Sequence, residues 1–355
     1  MKRLALVLVA ASAVITAALP GAAQGAACSP LNCAPSQFAI GQDGSLLGFR
    51  TAIGKPVTVV DLETGKTRWV LPAGLAGGTL LVHQDGSTLV WYDTSRGTRL
   101  ATVTLPDVEY SLAGVSQDGT RAVLTRTSPN GTTFLVASRH AQRSFTLAGK
   151  QWSFDALRGD NLFLIKYLPL GGYQVRLVHV GAARLDPAPL KDPHESSTIW
   201  GSPFSRLSSA GGRYLFTLYI GPNGGSMIHV LDLDAATARC VDLPGTGDYG
   251  SATSWSLTLS RDQSKLWAVS PGYGRVVAID VRSRKVSDAF RIDLPYWNAG
   301  NATSAALAPD GRQIAVADGE TVAVVGLAER KVIQRDKAHA VALGYSPAGK
   351  LWQLS

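Results

Sequence analysis

The sequence predicts an all-β protein built as a β-propeller, with seven blades of about four antiparallel strands. Three observations carry that expectation. A turn dipeptide followed by a β-rich run recurs along the chain. Successive copies are 42, 33, 41, 52, 50, 49 and 38 residues apart, and an average near 43 is the period of one four-stranded blade. Helix-favouring composition is missing: Glu occurs only at 63, 109, 195, 320 and 329, whereas Gly, Thr, Val and Ser are plentiful, as many short strands and tight turns require. A pair of β-sandwiches, the competing all-β architecture, carries no such constant period.

The turns run in order through Asp43-Gly44, Asp85-Gly86, Asp118-Gly119, Gly159-Asp160, Gly211-Gly212, Arg261-Asp262, Asp310-Gly311 and Ala348-Gly349. Within a unit one strand enters the turn (SAALAPDG, SLTLSRD) and a second leaves it. A third ends in Asp plus a turn (VTVVDLETGK, MIHVLDLDAA, RVVAIDVRSR), and a fourth closes the unit (TRWVLP, ARCVDLP). Glycine accepts the positive φ of such turns, and aspartate bonds to its own backbone. Leu-Pro recurs at fourth-strand ends, at 71–72, 105–106, 243–244 and 294–295, where proline stops pairing for lack of an amide hydrogen. The second unit, 85 to 118, is short for four strands. Seven fourth strands are counted, and AVALGYSPAGKLWQLS adds one more inner pair. The C-terminal strands are therefore expected to complete a blade begun by the N-terminal ones, with eight blades as the other count.

The N-terminus reads as a cleaved export signal, residues 1–23. Lys2 and Arg3 precede the uncharged run Leu4 to Leu19, then Pro20 and small residues that suit cleavage after Ala23. Sixteen apolar residues fall short of the roughly 20 a membrane span needs. A lead segment, 24–36, then joins a single propeller domain, 37–355, expected to be secreted or extracytoplasmic and monomeric, without a transmembrane segment. Cys28 and Cys33 could close a small loop in that oxidising setting. Cys240, in TARCVDL, reads as a buried small hydrophobe. The formal charge of +8 falls to +6 without Lys2 and Arg3, and its 23 arginines are scattered singly. A solubilising role fits them better than a nucleic-acid partner.

The unit PDGRQIAVADGETVAVVGLAERKVI resembles the YVTN and WD40-like β-propeller repeats of bacterial secreted proteins, and more distantly TolB-type repeats, over about residues 37 to 355. The resemblance implies the fold and leaves the activity open. The GH and WD dipeptides of eukaryotic WD40 blades are absent, so their partner habits are not implied. DLETGKTRW, with Asp61, Thr64, Gly65 and Trp69, resembles one docking motif of quinone-cofactor propellers. The equivalent stretches DAATARCVD, DVRSRKVSD and GLAERKVIQ lack the tryptophan, so Trp69 is expected to pack locally and no cofactor is expected. SRDQSKLW resembles the Asp-box of sialidase-like propellers, a structural turn on the outer rim.

No H-E-x-x-H, G-x-S-x-G, phosphate loop, C-x-x-C or EF-hand loop is present. His83, His179 and His229 sit in strand-like runs and read as hydrogen-bonded structural residues; no metal site is expected. Asn130 and Asn301 begin formal glycosylation sequons and read as loop asparagines. The functional clue is loop length. Links from a fourth strand to the next first strand cross one face of a propeller, and three late ones are long: 190–205, 243–255 and 294–304. They carry Trp200, Tyr249, Trp255, Tyr296, Trp297 and Asn298 as candidate ligand-binding residues, with Trp200 and Trp255 also suited to filling the gap between blades. Asp192, His194, Glu195 and Asp248 lie beside them. The leading expectation is an exported non-catalytic module that binds a protein partner or a cell-envelope polymer or glycan. The alternative is a carbohydrate hydrolase or lyase using Asp192, Glu195 or Asp248 with His194, whose carboxylates would have to lie roughly 5 to 9 Å apart across the axial pocket. Electrostatic adhesion through an arginine-rich face is the third.

Overall fold

Apolar runs of four to seven residues, broken by residues that tolerate tight turns, pair readily with their neighbours in sequence. In 304–337 the strands Ser304–Leu307, Gln313–Ala317, Thr321–Gly326 and Lys331–Lys337 do so, each antiparallel to the last. Gly311 turns the first pair at φ +71°, and Asp310 accepts the amide of Arg312 at 2.9 Å. A computed structural model of the protein describes residues 36–40, 45–50, 54–221, 224–245, 249–294, 304–317, 320–340 and 342–354. It repeats this meander as seven four-stranded sheets: blades 1 (36–71), 2 (75–104), 3 (111–148), 4 (152–185), 5 (202–243), 6 (256–291) and 7 (304–337). The short second unit is thus a full blade, whose first strand, Leu75–Gly77, has only three residues. The only described helix is the single turn Tyr249–Ala252, and no described helix is long and apolar enough to cross a membrane. The signal segment, the lead residues Cys28 and Cys33, and Asn301 lie outside the described residues.

Closure differs from the expected shared blade. Blade 1 takes all four strands from 36–71, and the C-terminal strands Ala342–Tyr345 and Leu351–Leu354 form a two-stranded sheet of their own. That pair stands between blade 7 and blade 1. One of its faces packs Leu343, Tyr345 and Leu351 on Ala306, Ala315, Val322 and Val324 of blade 7, beside Ala340 just before the strand. Its other face packs Ala342, Trp352 and Leu354 on Leu47, Phe49, Val60 and Leu62 of blade 1. The core is accordingly a circle of interblade seams, each an apolar cluster shared by two neighbouring sheets. Burial of these facing sheet surfaces is the dominant stabilising term.

Tryptophans fasten several seams. Trp69 donates its indole N–H to Thr94 O of blade 2 at 2.9 Å, and a Cβ on Gly97 would lie 2.8 Å from its ring. It is a local packing residue, as its solitary motif implied. Trp352 repeats the arrangement, donating to Leu62 O and covering Gly65. Trp91 donates to Gly119 O of blade 3 at 3.1 Å. The Asp-box-like turn lies between the first and second strands of blade 6, not on the outer rim. Asp262 there accepts from Ser260 Oγ, Ser264 N and Ser264 Oγ at 2.6 to 3.1 Å, and these bonds hold its carboxyl down to about 2.

Candidate binding face and the seam beneath it

First strands line the axis, and each begins on the face where the preceding fourth strand ends. The turns between second and third strands come to that same face. The late excursions therefore share a rim with the 168–172, 221–225 and 271–274 turns.

The excursion after blade 4 replaces most of a fourth strand, which is regular only at Arg184–Leu185. Leu190 N then bonds to Val175 O at 2.8 Å, and Ile199 exchanges two backbone bonds with Tyr173 at 2.8 and 3.1 Å. Between these points Asp192 is 6% exposed. Its Oδ1 accepts from His194 N at 3.0 Å and Arg239 Nη1 at 2.9 Å, and its Oδ2 from Cys240 N at 2.9 Å. Burial pushes its carboxyl up, but the bonds from His194, Cys240 and Arg239 outweigh burial and hold it below the usual carboxylate range. Arg239 and Cys240 belong to the outer strand of blade 5, Thr237–Leu243. Asp192 is therefore a latch at the rim, with both oxygens engaged, and not a proton donor at the axis. His194 and Glu195 follow it on the exposed rim.

Trp200 ends this excursion. It is 55% exposed, and its ring lies over the Gly171-Gly172 turn, where Cβ atoms would sit 3.2 and 3.4 Å from it. Leu170, at the tip of the same turn, is 93% exposed. Buried Ile199, paired with Tyr173, anchors this apolar shelf from below.

The second excursion is docked by hydroxyls. Ser254 Oγ meets Ser270 Oγ at 2.6 Å, donates to Ser251 O at 2.7 Å and accepts from Gly272 N at 2.9 Å. Tyr273 Oη donates to Gly224 O of blade 5 at 2.9 Å. Trp255 is wholly buried in the seam between blades 5 and 6, 6.1 Å from the Tyr273 ring. Its place as a ligand-binding residue is corrected: it fills the gap between sheets, because the strand it precedes turns its side chain into that gap. Tyr249 opens the helical turn that caps this excursion. Asp248, Tyr296, Trp297 and Asn298 lie outside the described residues.

Of the strand histidines, His83 Nδ1 meets Ala73 O at 2.6 Å and His179 Nε2 meets Asp186 Oδ1 at 3.2 Å. His229 departs from expectation. It is 1% exposed, its Nε2 has no hydrogen-bond partner, and burial pushes its ring down to about 4. Sequence reading also passed over Asp155, Tyr173, Arg206 and Tyr219, which share the seam of blades 4 and 5 with it. A charged residue inside FDAL and a polar file at alternate positions of RLS, FTLY and IHVL were the available signals.

No protein-family model matches the sequence, and a search of curated proteins finds no match. Among solved structures the chain is similar to apo AztD from Citrobacter koseri, at 15% identity and TM-score 0.55 over 86% of each chain. It is similar to a second crystal structure of Citrobacter koseri AztD at 14% identity and TM-score 0.54, again over 86% of each chain. Hydrazine synthase of Kuenenia stuttgartiensis aligns at 12% identity and TM-score 0.47, over 94% of this chain and 99% of that one. At these identities the AztD likeness establishes the fold alone: the chain is a seven-bladed β-propeller.

Proposed function

We propose that the protein is an exported, non-catalytic binding module that engages a protein partner or a cell-envelope polymer through the rim carrying its late excursions. The observation that carries this reading is the apolar shelf of Trp200 and Leu170, held out from a rigid sheet edge over a glycine turn. Large aromatic side chains fixed on a stiff scaffold are where binding energy concentrates. The export signal and the resemblance of the repeats to YVTN and WD40-like propellers of bacterial secreted proteins support the setting. The engagement of both Asp192 oxygens favours binding over carbohydrate cleavage, since a general acid must keep a proton to give.

A thermal-shift and calorimetric screen of the mature protein against wall fragments, glycans and envelope protein fractions tests the reading. The double substitution Trp200→Ala, Leu170→Ser is expected to weaken the ligand found at least tenfold, about 1.4 kcal/mol, while leaving the melting temperature within a few degrees. Unchanged affinity for every ligand found would reject the shelf.

A further inference from the structure

In each of the seven blades the second strand carries a third strand on its outer side. The corresponding strand of the C-terminal half-sheet, Leu351–Leu354, carries none. Its register with Ala342–Tyr345 runs without a bulge, so the edge is straight. Backbone groups of successive residues in an antiparallel ladder point to alternate sides. Ser346 N bonds to Lys350 O at 2.9 Å, so Lys350, Trp352 and Leu354 turn their backbone groups toward the inner strand. The N–H and C=O of Leu351 and Gln353 therefore point outward, and among the described residues no backbone group pairs with them. Such an edge is a template for another strand.

Blades 1 and 7 wall the space beyond this edge. Phe49 of blade 1 faces the half-sheet, and register carries that face outward through Thr58 to Val70. In blade 7, Val324 faces the half-sheet, and register carries that face to Gln334. Gly326, two positions past Val324, lies on the same face. A Cβ there would lie 3.0 Å from Ile333 Cγ2, so Ile333 belongs to this wall as well. If the outer strands of the two blades met across the half-sheet, Val70 and Ile333 would be covered. They are 59% and 42% exposed. The edge thus lies in a slot that opens to solvent.

Charge gives the slot a direction. Lys350 immediately precedes the edge strand, and Lys331 opens the outer strand of blade 7, paired with Gly326 on the wall of the slot. Both stand at the end where the edge strand begins, and neither is in an ion pair among the described residues. The Lys350 ammonium lies 3.7 Å from the centroid of the Trp352 ring. A strand added antiparallel to Leu351–Leu354, as in every complete blade, brings its C-terminal end beside these lysines. The chain's own third strands have the matching pattern: VTVVD, TLVWYD, SMIHVLD and RVVAID are apolar runs that end in aspartate.

We propose that the half-sheet is an acceptor edge for a partner protein. It takes an extended segment of that partner, rich in β-branched residues and acidic at its C-terminal end, as the third strand of an incomplete sheet. Backbone bonds to Leu351 and Gln353 supply the attachment, and Val70 and Ile333 receive the side chains that alternate to either wall. The half-sheet lies across the ring from the Trp200 shelf and does not depend on it.

A blocked peptide with the sequence VTVVDLE, residues 57–63 of the chain itself, serves as the probe, titrated calorimetrically into the mature protein. Saturable binding is expected. N-methylation of alternate peptide amides is the decisive comparison. One alternate set faces the edge and should weaken binding about tenfold or more when methylated; the other faces away and should leave affinity within about twofold. Absence of saturable binding, or equal losses from both sets, overturns the proposal. The amide peptide VTVVNLQ should bind more weakly than the probe, and equal affinity would overturn the acidic end. Val70→Lys, on an exposed position, should weaken the probe about tenfold with an unchanged melting temperature, and unchanged affinity would refute the placement. A dimer of the mature protein that the probe dissociates would give the edge to a second copy and overturn the assignment to a partner.

Discussion

At the scale of single residues, His229 makes the protein's stability depend on pH. Burial lowers its pKa from 6.5 to about 4, so the unfolded chain takes up a proton at higher pH than the folded one. The stabilisation is complete above about pH 6.5 and is lost progressively as pH falls to about 4. The loss over that window is on the order of 3 kcal/mol. Denaturant unfolding between pH 7 and 4 should show this loss in the wild type, and His229→Gln should flatten it. An identical slope in both proteins would mean that other groups carry the effect. Asp61, Asp192 and Asp232 add their own loss, because hydrogen bonds depress their carboxyls, but in a window below the ordinary carboxylate pKa. His229 also shows where sequence reading stops. MIHVLDL announces a strand histidine; that its ring faces an aspartate-arginine pair follows from Asp155, 74 positions earlier, and no local pattern contains that.

At the scale of elements, the turns before the fourth strands hold the sheets to one another. Gly65 and Gly97 occupy them at φ +68° in blades 1 and 2, whereas Arg284 and Arg330 adopt φ +56° and +54° in blades 6 and 7. The arginines reach back to the preceding blade, Arg284 to Thr237 Oγ1 at 3.3 Å and Arg330 to Asp288 at 3.1 Å, where the glycines instead admit a tryptophan ring. A Cβ on Gly65 would lie 2.2 Å from the Trp352 ring. Gly65→Ala should therefore cost both the left-handed backbone penalty and overpacking, roughly 2 to 5 kcal/mol, read as a fall in denaturation midpoint. The outer strands of blades 1, 2, 6 and 7 bulge at equivalent places, at Arg68, Leu100, Ser287 and Ile333, which spoils their edges for pairing with another chain. The excursion after blade 4 depends on one side chain. Asp192→Asn should release it from blade 5 at a cost of about 1.5 to 3 kcal/mol, and hydrogen exchange should show faster amides over 190–199 with the blade 5 strands unchanged. Uniform loss of protection would instead mark Asp192 as a determinant of the whole fold.

At the scale of the molecule, the ring is closed by a half-sheet. The two strands of 342–354 present one face to blade 7 and the other to blade 1, so a single tryptophan, Trp352, stands where the first and last sheets meet. Its truncation removes a buried indole, its bond to Leu62 and the cover over Gly65. Trp352→Ala should cost 3–5 kcal/mol, the usual range for a buried aromatic. Limited proteolysis should find new cuts in blade 1 and the C-terminal pair before any in blades 3 to 5. Cuts distributed evenly would show that closure at this seam does not govern the ring.

The repeat period, the Asp-Gly turns and the Leu-Pro stops were enough for the sequence by itself to determine an all-β propeller of four-stranded blades, with seven favoured over eight; the structure fixed the count at seven and made the short second unit a full blade. Such signals are local: each lies within a few residues of the backbone it shapes. Only the tertiary structure decided that the C-terminal strands stand as a separate half-sheet, that Trp255 fills a seam while Trp200 is held out on the rim, and that Asp192 is a latch. It alone brought Asp155, Arg206, Tyr173, Tyr219 and His229 into one seam. These outcomes depend on which faces of neighbouring sheets meet, and every blade has two faces of similar pattern. The choice between them is made when the ring closes, by packing between residues far apart in the chain.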